Sequence, residues 1–207
     1  MEYQPKHILL QYITHWPELN INYWAIHKNA TSSIMAHLVS ITSDIDVAEF
    51  NRSDDMQAKH IVREQQRYID KNDALTNGCK NLTVVRDPFD RLESCYKMFK
   101  HPLNETHKVG ASKAGFKVDW NEEDFLNYIE LHFTKNLRGN KHFAKQISFI
   151  HNADNMDYIV KLEQLNEQWP LEDKPTFTLN KTTNQTTSLD RQRVRDLYEE
   201  DYRIFGY

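Results

Sequence analysis

INYWAIHKNATSSIMAHLVSI, residues 21–41, decides the fold. INYWAI (21–26) is apolar and aromatic, as a buried strand requires. HKNATSS (27–33) is short and polar, and SSIMAHLVSI (32–41) has the apolar content of a packed helix. Strand, loop and helix in that order set the loop above the carboxyl end of the strand. Backbone N–H groups and the positive end of the helix then face whatever binds there. Lys28 adds a full charge, and Thr31, Ser32 and Ser33 add hydroxyl donors. These are the groups that hold a phosphate or a sulfate, although the same residues also suit an ordinary Ser/Thr-rich helix start. A Walker A loop is excluded, because G-x-x-x-x-G-K-[ST] needs glycines and none of the chain's five lies nearby.

Further along, LTVV (82–85) is rich in β-branched residues and reads as a second buried strand. VVRDPFDRLESCYKMF (84–99) then repeats the strand-to-helix turn, with Asp87 suited to the N-cap and Pro88 to the first helical turn. Arg86 falls at the carboxyl end of the strand, the edge at which open α/β sheets bind ligands. Phe89, Leu92, Tyr96 and Phe99 share one helix face, expected to pack on the sheet, while Arg91 and Ser94 turn to another. Arg86 and Ser94 could clamp one phosphate, the guanidinium supplying a fork of donors. Arg86 and Asp87 could equally be capping residues with a local ion pair.

The remaining segments complete an alternating pattern. Residues 44–78 are polar, with a helix expected over 56–69, and 100–119 reads as a mobile loop with scattered Lys and His. NEEDFLNYIELHF (121–133) is an amphipathic helix with an acidic first turn. ISFI (147–150) and DYIVKL (157–162) are short apolar runs, the second a strand, and TFTL (176–179) is a candidate edge strand. Ser188 is expected to cap a last helix reaching about Tyr198. Strands alternating with helices predict an α/β fold, a mostly parallel sheet covered on both faces, within one domain over residues 1–207.

Composition narrows the function classes. A hydrophobic content of 39% belongs to a globular chain rather than a disordered one. A net charge of −4 argues against a general nucleic-acid binder but leaves room for a local basic pocket. Cys79 and Cys95 are too few for a disulfide framework or a metal knuckle, and no metal-ligand cluster is evident. With no apolar run of about 18 residues and no signal-peptide pattern, a cytoplasmic protein that does not insert into membranes is expected. Six Asn-x-Ser/Thr triplets occur, but Asn29 lies in the tight loop and Asn81 opens a strand, where glycans do not fit.

Taken together, the two turns resemble the sulfotransferases that use 3′-phosphoadenosine 5′-phosphosulfate (PAPS), in the carbohydrate branch known as sulfotransferase family 2. HKNATSS looks like their 5′-phosphosulfate loop; that branch often has Ala in this loop, as at Ala30. Arg86, Asp87, Pro88, Phe89, Arg91, Leu92, Ser94 and Tyr96 look like their 3′-phosphate motif, R-D-P-F-x-R-L-x-S-x-Y. NKHFAKQ (140–146) resembles their N-x-H-x-x-x-Q segment, YIVKLEQL (158–165) their strand ending in a Glu-x-Leu turn, and LNKT (179–182) and LYEEDYRIFGY (197–207) also look familial. His27 departs from the family's usual Pro.

The resemblance implies a P-loop-like three-layer fold and sulfuryl transfer from PAPS to an acceptor hydroxyl on a saccharide, leaving adenosine 3′,5′-bisphosphate, with no metal required. Lys28 would bind the bridging oxygen. Backbone N–H groups from Asn29 through Ala30 to Ser33, with the hydroxyls of Thr31 and Ser32, would hold the 5′-phosphate. Arg86 and Ser94 would hold the 3′-phosphate. His60, between the two motifs, is the first choice for the general base, since a neutral imidazole suits proton abstraction at neutral pH; Glu64 is the second. Residues 97–117 hold five lysines against Glu105, a net +4 by count, which could steer an anionic saccharide or simply be a solvated loop. His142 and Gln146 could also face the acceptor. A small-molecule kinase and a non-catalytic nucleotide- or sugar-binding relative are the competing readings.

Overall fold

A computed structural model describes residues 12–45, 57–101, 115–134, 141–175 and 187–207. Strand β1 (Tyr12–Trp16) turns through Pro17–Leu19 into β2 (Ile21–Ala25), with Asn20 in the left-handed region at φ 55°. Helix α1 (Thr31–Thr42) follows, then α2 (Gln57–Glu64), β3 (Tyr68–Ile69), α3 (Lys71–Thr76) and β4 (Lys80–Val85). Next come α4 (Pro88–Lys100), α5 (Glu122–Thr134), α6 (Ile147–Ile150), β5 (Tyr158–Lys161) and α7 (Leu165–Gln168). Two C-terminal helices, α8 (Arg191–Leu197) and α9 (Glu199–Phe205), end the described chain.

The strands form one sheet in the order β3-β1-β2-β4-β5. β2 pairs with β4 and β4 with β5 in parallel, while β1 pairs antiparallel with both β2 and β3. Among the described strands only β1 therefore opposes the common direction. The sequence reading had no strand there, and β1 adds an antiparallel member to the mostly parallel sheet it expected.

Both faces are covered, as the alternation along β2 and β4 demands. Tyr23, Leu82, Val84 and Val160 pack under Ile34, Leu38 and Val39 of α1 and Val62 of α2. Trp24, Ile26 and Val85 face the other way, onto Phe149 and Ile150 of α6 and Phe205 of α9. A helix–sheet–helix sandwich results. The aromatic stripe of α4 (Phe89, Leu92, Tyr96, Phe99) does not pack on the sheet as expected. It packs with Phe125 and Ile129 of α5 and Val194 of α8, which leaves the Arg91–Ser94 face of α4 turned to the strand ends.

Three boundaries differ from expectation. The helix predicted over 56–69 ends at Glu64, because Gln66 turns left-handed at φ 51° and Tyr68–Ile69 pair with β1 instead. ISFI is a single helical turn. The cap of the penultimate helix is Asp190, whose carboxylate accepts from Arg193 N at 3.1 Å, rather than Ser188. TFTL, LNKT and most of the 100–119 loop lie outside the described residues.

Candidate active site

The loop after β2 takes a conformation usually built from glycine, using none. Lys28 sits at φ 72° and Ala30 at φ 56°, each costing about 1–2 kcal/mol for a residue with a Cβ. Hydrogen bonds over-determine it. Ile26 O accepts from Asn29 N at 3.3 Å and from the Thr31 hydroxyl at 2.6 Å. The buried Asn29 amide donates to Val84 O at 2.8 Å and to Gln146 Oε1 at 2.6 Å. Carbonyls on the loop's underside turn into the protein: His27 O accepts from Arg91 Nε at 2.9 Å, and Lys28 O from Arg86 Nη1 at 3.4 Å.

Helix α1 begins at this loop. Its first intrahelical bond runs from Ile34 N to Ala30 O at 2.9 Å, so Thr31, Ser32 and Ser33 bring helix-terminal N–H groups without an i−4 partner. Ala30 is the N-cap and has no side chain that could accept from them. A Ser or Asp there would cap the helix with its own side chain; Ala does not.

The second turn is built differently. The Asp87 carboxylate accepts from Phe89 N at 2.8 Å and Asp90 N at 3.1 Å, so this helix end is closed by its own sequence. What faces the first loop is one stripe of α4. Arg91, Ser94, Cys95 and Met98 are spaced i, i+3, i+4 and i+7. At one end Arg91, fully buried, grips His27 O and also donates to Ala144 O at 2.8 Å. At the other end Met98 Sδ lies 3.5 Å from Lys28 Nζ. The buried Ser94 lies between them on the stripe. Cys95 shows the field there: burial pushes its thiol up to about 12, while the Lys28 and Arg91 charges pull the other way.

One side chain joins the two turns. Gln146 is fully buried; its Oε1 accepts from Asn29 Nδ2 at 2.6 Å and Arg86 N at 3.0 Å, and its Nε2 donates to Arg86 O at 2.8 Å. Gln146 is held in turn by Asp201 of α9, which accepts from Gln146 N at 2.7 Å and Ile147 N at 3.0 Å. Burial raises the Asp201 pKa, against those two bonds and the Arg91 charge. Gln146 therefore does not face an acceptor, as the sequence reading allowed. It is a strut between the loops. Arg91 is another role the sequence hid: a buried cation answered by backbone carbonyls, not a ligand group. The spacing of NKHFAKQ pointed at Gln146, but nothing local told a buried strut from a surface amide.

The remaining candidates take no part in the bonds that join the two turns. His60 lies exposed on α2, its Nδ1 3.3 Å from the equally exposed Glu64 Oε1. Among the described residues neither is hydrogen-bonded or ion-paired to Arg86 or Ser94. Of the lysines in 97–117, Lys97 pairs with Glu93 at 2.9 Å and Lys100 donates to Trp120 O at 2.8 Å, while Lys108 and Lys113 lie outside the described residues. His142 stacks edge-on to His27, ring centroids 5.2 Å apart. Among the described residues no group of three or more His, Cys, Asp or Glu is placed to hold a metal ion.

In comparison with known proteins, residues 11–174 match a family described as the sulfotransferase family. That span holds both turns and the Gln146 strut, and stops short of α8 and α9. No curated protein and no solved structure matches significantly.

Proposed function

The chain belongs to the sulfotransferase family, and from that premise we propose that it transfers a sulfuryl group from PAPS to an acceptor hydroxyl, on a saccharide. One observation carries this reading. Arg86 Nη1 comes within 3.4 Å of Lys28 O, so the guanidinium of the second turn meets the backbone of the first at the carboxyl ends of β2 and β4. A donor with a phosphosulfate at one end and a 3′-phosphate at the other needs that arrangement.

The residues divide the work. The N–H groups opening α1, Ala30 to Ser33, receive the 5′-phosphate together with the Ser32 hydroxyl, above a turn that the Asn29 N–H and the Thr31 hydroxyl close by donating to Ile26 O. Arg86 and Ser94 receive the 3′-phosphate. Lys28 lies against the oxygen that bridges phosphorus and sulfur. In the transfer the bond from that oxygen to sulfur breaks, the acceptor oxygen bonds sulfur, and the electron pair stays with the phosphate. Lys28 opposes the charge that grows there, which is where a fixed cation lowers a barrier most. The acceptor's proton goes to His60, whose Nδ1 is oriented by Glu64 and whose Nε2 is then the accepting atom.

The test is transfer of label from ³⁵S-PAPS to a saccharide panel, with ATP and magnesium as the comparison donor. Label should appear on the saccharide, and ATP should not be consumed. His60→Ala should lower turnover about 10²–10⁴-fold with donor affinity nearly unchanged. Turnover close to native would remove His60 from the mechanism.

A further inference from the structure

Three backbone groups of the second turn are held by side chains from distant parts of the chain. Gln146 takes two of them, the N–H and the C=O of Arg86. The third is the next N–H along, on Asp87, which donates to Glu163 Oε1 at 3.0 Å. Glu163 follows β5, whose Lys161 pairs with Val85 at the end of β4, so the two strands deliver Arg86 and Glu163 to the same edge of the sheet. The other carboxylate oxygen is engaged as well: Tyr207 donates its hydroxyl to Glu163 Oε2 at 2.8 Å. Gly206 ends α9 in the left-handed region at φ 67°, and that turn carries Tyr207 to the carboxylate. Lys161 secures it, donating Nζ to Gly206 O at 2.7 Å and standing 4.5 Å from the Tyr207 ring centroid. Burial first, then the Glu163 carboxylate, pushes the Tyr207 phenol up, so the proton stays on the phenol oxygen and Tyr207 is the donor.

We propose that Glu163, latched by Tyr207, is a positioning residue for the 3′ end of the donor, setting the spacing between Arg86 and Ser94. The proposal rests on the reading of those two residues as the 3′-phosphate clamp. Asp87 is the hinge of that spacing, since it follows Arg86 and caps α4, the helix that carries Ser94. Its carboxylate ties it to the helix through Phe89 N and Asp90 N, and its own N–H ties it to Glu163. A phosphate gripped by a guanidinium and a hydroxyl tolerates little change in their separation, because hydrogen bonds weaken steeply as geometry degrades. Fold stability asks much less of Glu163, which is an exposed residue making exposed contacts. A carboxylate beside a phosphate opposes binding through its charge. What it contributes instead is two acceptor oxygens, one for the Asp87 N–H and one for the phenol.

Calorimetry on the full chain with two nucleotides tests this: adenosine 3′,5′-bisphosphate, and adenosine 5′-phosphosulfate, which lacks the 3′-phosphate. Glu163→Ala should weaken the bisphosphate about tenfold, the scale of one hydrogen bond to a charged group, and leave the phosphosulfate nearly unchanged. Tyr207→Phe keeps the ring beside Lys161 and removes the donor. It should weaken the bisphosphate about threefold, with a melting temperature close to the wild type's. Glu163→Gln should recover most of the loss, since its amide oxygen still accepts from the Asp87 N–H. Adding Glu163→Ala to Arg86→Ala should cost almost nothing further, because a spacing with one end removed no longer matters; a purely structural carboxylate would add its loss in full. The latch is overturned if Glu163→Ala weakens both nucleotides equally, if it weakens neither, or if its loss adds to that of Arg86→Ala. Should Glu163→Ala fail to fold, Tyr207→Phe decides, and wild-type affinity for the bisphosphate in that variant overturns the latch. If the wild type does not bind the bisphosphate, or if Arg86→Ala weakens both nucleotides equally, the 3′-phosphate reading itself falls, and the latch with it.

Discussion

At the scale of single residues, Lys28 and Ala30 concentrate the account. In the proposed transfer Lys28 should matter to rate more than to binding, because the charge it would meet grows only as the sulfur–oxygen bond breaks. Lys28→Ala should lower kcat by roughly 10²-fold or more, and Lys28→Arg should recover only part of it, since a planar fork does not replace a compact ammonium. Steady-state turnover at saturating PAPS, beside a melting curve, separates this from unfolding. Ala30 makes the opposite kind of prediction. Its left-handed φ of 56° strains any residue with a Cβ, so Ala30→Gly should relieve about 1–2 kcal/mol against an entropic cost of about 0.5–1 kcal/mol. A melting temperature equal to the wild type's or a few degrees higher is expected. A clear fall would mean that the loop is not held as described. Lys28 and the loop's hydroxyls were legible in the sequence. The positive φ values were not, because without glycine nothing local announces them.

At the scale of elements, the two turns were legible for local reasons and their connection was not. Asp87 and Pro88 mark a helix start by chemistry that acts within one turn, and α4 begins there. By contrast, β3 exists because β1 offers an edge, and no property of Tyr68 and Ile69 alone overrides a helical reading. Gln146 belongs to the same class: its role is set by Asn29 and Arg86, distant along the chain. If it holds the turns in register, Gln146→Met should weaken binding of adenosine 3′,5′-bisphosphate by about 1–3 kcal/mol, the cost of leaving buried polar partners unmade. The 5′-monophosphate and the 3′-monophosphate, each using one turn, should lose little. Calorimetry with the three nucleotides checks it, and equal losses in all three would show that Gln146 shapes each turn separately.

At the scale of the whole molecule, strand alternation and covered faces followed from the apolar pattern, while β1 and the struts from the C-terminal helices did not. Asp201, on the last described helix, fixes Gln146, and Gln146 fixes both turns, so α9 supports the loops that follow β2 and β4. The central claim is that these turns are two ends of one donor site, with the 3′-phosphate at Arg86. The most direct measurement is the affinity of the wild type and Arg86→Ala for two nucleotides, by calorimetry. One is adenosine 3′,5′-bisphosphate; the other is adenosine 5′-phosphosulfate, which lacks the 3′-phosphate. Arg86→Ala should weaken the first by roughly 2–4 kcal/mol, as when one partner of a desolvated charge pair is removed, and hardly affect the second. Equal losses for both nucleotides would contradict the assignment of Arg86 to the 3′ end.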